Sequence, residues 1–315
     1  MGRRDWYHEL MPERLKYSLI MFLAGCSYGL MVPLVRTSQG LGFDTGEIMV
    51  SQYLVSSLAL AIGCLIFSRI KVRLRDALKL MGVGMVAAGV SFFYYQSLQT
   101  LTPALSLTLL FQFVWMGMVV QAVRTRTLPK ATALVAVVLV VIGAVFAAGV
   151  LDEGVSWTNF NLMGILCGFL AAVCYTGFLV LSSQVATALP AANRSMFTTF
   201  GSLVISVVIS HQFVARPLVL QDPFLGLALG LLGICLPVFL IALSSPKLPN
   251  GLTTIMASSE LPSGVLCAAV FLGVPVTFTI GLGVVVVLVG IVTSEFETLR
   301  SLGKKNKGGQ TPQRE

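Results

Sequence analysis

Gly251-Leu-Thr-Thr-Ile-Met-Ala-Ser-Ser-Glu260-Leu-Pro262-Ser-Gly-Val-Leu-Cys-Ala-Ala-Val270 is a mostly apolar run that carries one charge, the carboxylate of Glu260. Its length matches the ~20 residues a helix needs to cross ~30 Å of hydrocarbon. A carboxylate at bilayer depth costs roughly 3 kcal/mol, so it persists where it faces a cavity or a partner instead of lipid. Two residues on, Pro262 lacks a backbone N–H, and a helix running through it leaves the carbonyl of Ser258 without its usual bond. The run reads as a membrane helix with an acid beside a broken turn.

The rest of the chain agrees with that reading. Of 315 residues, 56% are hydrophobic and 11% charged, and the mean hydropathy is +0.89. That composition excludes an ordinary soluble domain. Apolar stretches recur at 17–35, 47–67, 78–98, 103–122, 131–150, 162–182, 196–213, 222–243, 251–271 and 275–293. The expected fold is all-α and polytopic, with ten transmembrane helices arranged as two inverted five-helix repeats. Residues 1–16 form an N-terminal segment, 17–150 the first repeat, 151–161 a linker, 162–295 the second repeat and 296–315 a basic tail.

Charge sets the orientation. The net +8 invites a nucleic-acid reading, but the cations are distributed as in a membrane protein. With a cytoplasmic N-terminus, all but Arg36 and Arg216 of the 21 Lys and Arg fall on cytoplasmic segments, Arg194 among them. The expected site is the cytoplasmic (inner) membrane, with both termini cytoplasmic, the bilayer as partner and no nucleic acid. The first apolar stretch is longer than a usual signal core and is not followed by basic residues, so it reads as a span, not a cleaved signal. The six cysteines lie within predicted spans and read as small core residues, without metal-type spacing.

Two halves end alike: Ser106-Leu-Thr-Leu-Leu110 matches Gly251-Leu-Thr-Thr-Ile255, and the Val-rich run 135–145 matches 284–292. Five spans in each half force the second to enter from the opposite side, as in inverted-repeat transporters with a midplane site.

Helical spacing puts Thr253, Met256, Ala257, Glu260, Ser263, Gly264 and Cys267 on one small, polar face, with Ile255, Leu261, Val265 and Leu266 on a greasy one. In the third span Ala88, Gly89, Phe92, Tyr95, Gln96 and Gln99 share a face, and in the fourth Thr108, Gln112 and Trp115 do. The candidate solute-binding residues are Glu260, Phe92, Tyr95, Gln96, Gln112 and Trp115, with Tyr28, Gln52 and Tyr175 as a second rank. The plainer reading of the aromatics is packing or interfacial anchoring. The sharper one is a cavity wall, in which a desolvated cation would gain ~1–2 kcal/mol from ring faces. The glycines of the first span, Gly25 and Gly29, suit close helix packing. Pro237 reads as a kink, and Pro246 and Pro249 as loop residues. His8 and His211 form no catalytic or metal-type pair, and no phosphate-cradling Gly-x-x-x-x-Gly-Lys-Ser/Thr loop occurs. An enzyme is therefore not expected, nor a cofactor.

Three stretches carry a family resemblance: Phe92-Phe-Tyr-Tyr-Gln-Ser-Leu-Gln-Thr-Leu-Thr-Pro-Ala-Leu-Ser-Leu-Thr-Leu-Leu110, Ser259-Glu-Leu-Pro-Ser-Gly-Val-Leu-Cys-Ala-Ala-Val-Phe-Leu-Gly273, and Gly25-Cys-Ser-Tyr-Gly29. The chain resembles the ten-helix EamA-type branch of the drug/metabolite transporter superfamily over about residues 15–295. It departs from that family at Val274, where an acid usually follows Leu-Gly, at the loop 124–130, which has no acid, at Gln52 in place of an Arg, and at Tyr175 in place of a Trp. The resemblance implies two inverted five-helix bundles around a central cavity that opens alternately to either side. Family members carry amino acids, amines, sugars, nucleotide-sugars and drugs. The expected activity is secondary transport of a small organic metabolite, such as an amino acid or amine, with protons as co-substrate if Glu260 titrates. A non-transporting scaffold or sensor subunit and a lipid translocator are the alternatives.

Overall fold

The computed structural model describes residues 3–68, 70–101, 103–129, 131–147, 161–210, 221–273 and 275–307. Most of the linker 151–161, together with His211, Arg216, Val274 and the tail beyond 307, lies outside them. No strand occurs among the described residues. The helices are α1 (Arg3–Gly29), α2 (Met31–Gly40), α3 (Thr45–Phe67), α4 (Leu74–Thr100), α5 (Pro103–Leu110), α6 (Phe113–Thr125), α7 (Ala131–Ala147), α8 (Leu162–Ser182), α9 (Ala191–Ile209), α10 (Pro223–Ala228), α11 (Leu236–Ser244), α12 (Asn250–Ala257), α13 (Glu260–Leu272) and α14 (Phe278–Lys307).

Several of these join end to end. Among the described residues, eight helical stretches are long and apolar enough to cross a membrane, and the apolar helices Ala131–Ala147 and Phe278–Ser294 are shorter. With backbone donors and acceptors satisfied inside helices and aliphatic side chains facing outward, this is a multi-pass helical membrane protein.

Local chemistry fixes the helix starts. Asp44 and Glu47 form a capping box at α3, with Glu47 accepting from the Asp44 N–H at 2.9 Å. The Asn161 side chain accepts from the N–H groups of Met163 and Gly164 at the head of α8, and Asp222 accepts from Leu225 at α10. Between α10 and α11, Leu229–Cys235 is a π-helix. The Leu236 N–H reaches back five residues to the Leu231 carbonyl, and Ser27 donates its hydroxyl to the Leu232 carbonyl at 2.6 Å. Pro237 follows in the first turn of α11, so the expected kink takes the form of a wide turn ahead of the proline. Pro246 stands in a short 3₁₀ turn, Ser245–Lys247, and Pro249 caps α12.

Packing sorts the helices into partners. α7 lies along α14, α3 along α9, and α6 against α12. α4 packs on both α8 and α9, while α11 packs on α1 and the π segment on α3. α5 and α6 lean on α8, and α12 and α13 lean on α1. Where α4 crosses α9 the backbones touch: a Cβ on Gly84 would lie 1.8 Å from the Thr198 carbonyl oxygen, and one on Gly201 2.2 Å from that of Met81. Only glycine permits that approach.

Two expectations change here. Arg194, read as a loop cation, is 3% exposed. Its guanidinium donates to the carbonyl oxygens of Ala242 (2.5 Å) and Ser182, near the last turns of α11 and α8. Helix C-termini leave carbonyls unpaired, and a buried cation satisfies two of them at once. The two-faced helix expected around Glu260 is found only beyond Pro262, where Leu266 is exposed and Gly264 buried. Residues 251–262 are buried on every side, because α12 is surrounded by α1, α6, α7, α8 and α14.

Candidate functional site

The site is organised by the turn at Ser258–Ser259, which separates α12 from α13. Here the Ser259 N–H donates to Met256 and the Leu261 N–H to Ser258, both over three residues at 3.2 Å. The carbonyl of Ser258, expected to be orphaned by Pro262, is therefore occupied. The break also precedes the proline, and a similar turn at Phe111–Gln112 has no proline within it. The serine side chains complete the turn's anchorage. Ser259 donates to the Phe22 carbonyl at 2.7 Å and Ser263 to the Cys26 carbonyl at 2.6 Å, both on α1. Gly25 and Gly29 admit this contact, since a Cβ on either would fall within 2.5 Å of those serine hydroxyls.

Glu260 opens α13 and is 9% exposed. Its Oε2 accepts a hydrogen bond from the Tyr175 hydroxyl at 3.0 Å. Tyr175 is wedged between Phe113, whose ring centroid is 4.5 Å away, and Tyr28, which meets it edge-on at 6.1 Å.

Across from this group stands a second one. Tyr95 donates to Gln52 Oε1 at 3.1 Å, and Gln52 Nε2 reaches Ser91 Oγ at 3.4 Å. The Tyr53 hydroxyl lies 2.9 Å from the same Ser91 oxygen. Gln52 is fully buried, and these bonds satisfy an amide that would otherwise be costly in the core.

Between the two groups is a small cavity of about 70 Å³. Tyr28, Tyr53, Tyr94, Tyr95, Tyr175 and Glu260 line it, together with Ser91 and aliphatic side chains of the surrounding helices. Among the described residues no Lys or Arg lines it, and no cluster of His, Cys, Asp and Glu could hold a metal ion.

The cavity occupies the half of the bundle towards the ends of α2 and α4, running from Tyr28 to Val35 and from Ala87 to Leu98. The opposite half is closed by cross-bundle bonds. The Gly251 N–H donates to Gln121 Oε1 at 2.5 Å, Ser68 to Asn193 Oδ1 at 2.5 Å, and Thr254 to the Val114 carbonyl at 3.4 Å.

Of the residues singled out in the sequence, Glu260, Tyr95, Tyr28 and Tyr175 meet at the cavity, and Gln52 stands behind its wall holding Tyr95. Phe92, Gln96, Gln112 and Trp115 are not among its lining residues. Phe92 packs against Phe93 with centroids 5.4 Å apart, and the Gln96 backbone carbonyl accepts from Thr100. Gln112 accepts from the Trp115 indole at 2.8 Å, and Trp115 lies at an outer apolar groove between α6 and α8, 38% exposed.

The physical reason is rotation. On α4 the cavity face is Ala87, Val90, Ser91, Tyr94, Tyr95 and Leu98, about one residue (~100°) from the face expected. Gly89, on the expected face, packs on α8 beside Cys174. Tyr53 and Tyr94 are the residues the sequence ranking missed. Both lie beside chosen residues, and the adjacent tyrosines at 94–95 were the available signal.

No family model and no curated protein matches the chain. A solved structure described as "Crystal structure of protein" superposes with a TM-score of 0.71 at 14% identity, covering 88% of this chain and 96% of its own. That likeness is one of fold, nearly end to end in both molecules.

Proposed function

We propose that this protein is a secondary transporter that carries a small organic solute through the central cavity by alternating access, with Glu260 as its polar anchor. The observation that carries the reading is the position of Glu260. It is a nearly buried intramembrane carboxylate at a helix break, on the wall of a cavity lined by tyrosines, and it is held by a tyrosine hydroxyl and not by a cation.

The reading extends to ten spans in two inverted halves, the first running from α1 to α7 and the second from α8 to α14. The packing supports it. Exchanging α1 with α8, α3 with α9, α4 with the π segment and α11, and the α5–α6 unit with the α12–α13 unit returns the α3–α9 pair to itself and turns the packing of α4, α5 and α6 on α8 and α9 into that of the π segment, α11, α12 and α13 on α1 and α3. Such a pattern suits repeats related by an axis in the membrane plane, with a site between them. The resemblance to EamA-type transporters points the same way. Closure at the Gln121–Gly251 end then corresponds to one of the two alternating states, and its opening would expose the cavity on the other side.

The test is uptake into proteoliposomes holding the purified protein, with a panel of amino acids, amines and nucleosides, run with and without an imposed proton gradient. Flux abolished by Glu260→Gln, from a variant that inserts and folds normally, is the expected result. Full activity in that variant would remove Glu260 from the mechanism. Gradient dependence in the wild type would add a proton to the cycle.

A further inference from the structure

We propose that the cavity selects an organic monocation, a protonated amine or quaternary ammonium with an aromatic or alkyl body, over a zwitterion or an anion. Movement of that cation rests on the transport reading above, whereas the selection follows from the cavity's own chemistry.

The first ground is the charge inventory. Glu260 is the carboxylate of the cavity, and among the described residues no Lys or Arg faces it there. Arg36 follows the lining residue Val35 and is exposed; its charge reaches the wall at Tyr94, but Arg36 does not line the cavity. An amine entering the site meets an opposite charge. The carboxylate of an amino acid would be buried beside Glu260 with no cationic partner, and like charges in low dielectric repel strongly.

The second ground is the donor inventory. Tyr175 already donates to Glu260 and Tyr95 to Gln52, while Tyr53 shares a bond with Ser91. Three of the five tyrosine hydroxyls are thus committed within the protein. What the tyrosines offer a guest is mainly ring surface, whose faces attract cations and whose edges pack on alkyl or aryl groups. The remaining wall is largely aliphatic, with Val32, Val90, Leu98, Leu110, Ile234 and Val238. A carboxylate guest needs several donors, and this wall supplies few. An ammonium group needs one anion and π-faces, and both converge here.

The experiment uses matched probes that differ in charge but share a body. One set is tryptamine, tryptophan and indole-3-acetate, and the other is hexylamine, 2-aminohexanoate and hexanoate. Binding to the full-length protein in nanodiscs is measured calorimetrically, and flux is measured in proteoliposomes, for wild type and Glu260→Gln.

In at least one set the amine binds about tenfold or more tightly than its zwitterion and anion. That preference disappears in Glu260→Gln, while thermal unfolding shows the variant to be folded. Equal or tighter binding of a zwitterion or anion overturns the proposal, as does failure of both amines to bind folded wild type. Amine binding that survives Glu260→Gln overturns it too. Amine binding without flux upholds the selection and removes the transport reading. Flux of zwitterions in preference to amines does the reverse.

Discussion

The turn at Phe111–Gln112 and the turn at Ser258–Ser259 share a backbone and differ in what they hold. Gln112 donates to the Leu109 carbonyl as Ser259 donates to Met256, each at 3.2 Å. Val114 donates to Phe111 as Leu261 does to Ser258, again at 3.2 Å, and Met116 to Gln112 as Ser263 does to Ser259. Bond for bond, Phe113 corresponds to Glu260 and Trp115 to Pro262. Both corresponding residues meet Tyr175, Phe113 with its ring at 4.5 Å and Glu260 through the hydroxyl at 3.0 Å. One side of the tyrosine is thereby braced by packing and the other is bonded to a carboxyl group. The backbone break is common to both places, so proline does not cause it, and the chemistry is confined to one of them.

The comparison breaks most readily at Phe113, which is fully buried. Phe113→Ala should cost about 3–5 kcal/mol through lost packing and the cavity left behind. A thermal melt of the solubilised protein would read this, and Glu260→Gln, measured beside it, should shift the melting temperature far less. If Glu260→Gln proved the more destabilising, Glu260 would be the brace and the contrast between the turns would fail.

Tyr175→Phe sharpens the contrast by keeping the ring and deleting the bond to Glu260. A hydrogen bond to a charged group contributes about 1.5–3 kcal/mol. Solute affinity should fall by roughly tenfold or more, and the melt should drop by less than it does for Phe113→Ala. An unchanged affinity would mean that the hydroxyl does not position the carboxylate.

The smallest effect is expected from Pro262→Ala. If the turn is set as at Phe111–Gln112, the substitution should alter stability by less than about 1 kcal/mol and leave uptake nearly intact. Collapse of transport would return the break to the proline.

Much of this was legible in the sequence, for reasons tied to particular residues. Apolar run length identifies membrane helices because lipid offers no partner for backbone groups. An acid in such a run draws attention because its insertion is costly, and Glu260 does line the cavity. What the sequence could not supply was rotation about each helix axis. On α4 the aromatic residues nearly encircle the helix, so periodicity alone chose Phe92 and Gln96 over Tyr94. Neither turn announces itself by composition, since Phe111-Gln112 contains no helix breaker, and so Gln112 and Trp115 were given an inward direction they do not have. Arg194 was hidden differently. Its partners are backbone carbonyls of distant helices, and those have no signature in the sequence.

The π segment Leu229–Cys235 bears on chain length. A π-turn holds one residue more than α geometry requires, so this helix contains a stored insertion, placed immediately before Val238 and including Ile234, both of which face the cavity. Removing one residue there would restore regular winding while the turns on either side kept their facing, because the wide turn is what absorbs the extra residue. Val238 and the carbonyl of Ala242 that Arg194 clamps lie on the same side of the segment and would move together. What the deletion would take away is the wide turn's own contacts, the Leu232 carbonyl that accepts from Ser27 among them. A single-codon deletion in this segment would thus cost a cross-helix bond and leave the binding surface pointed as encoded.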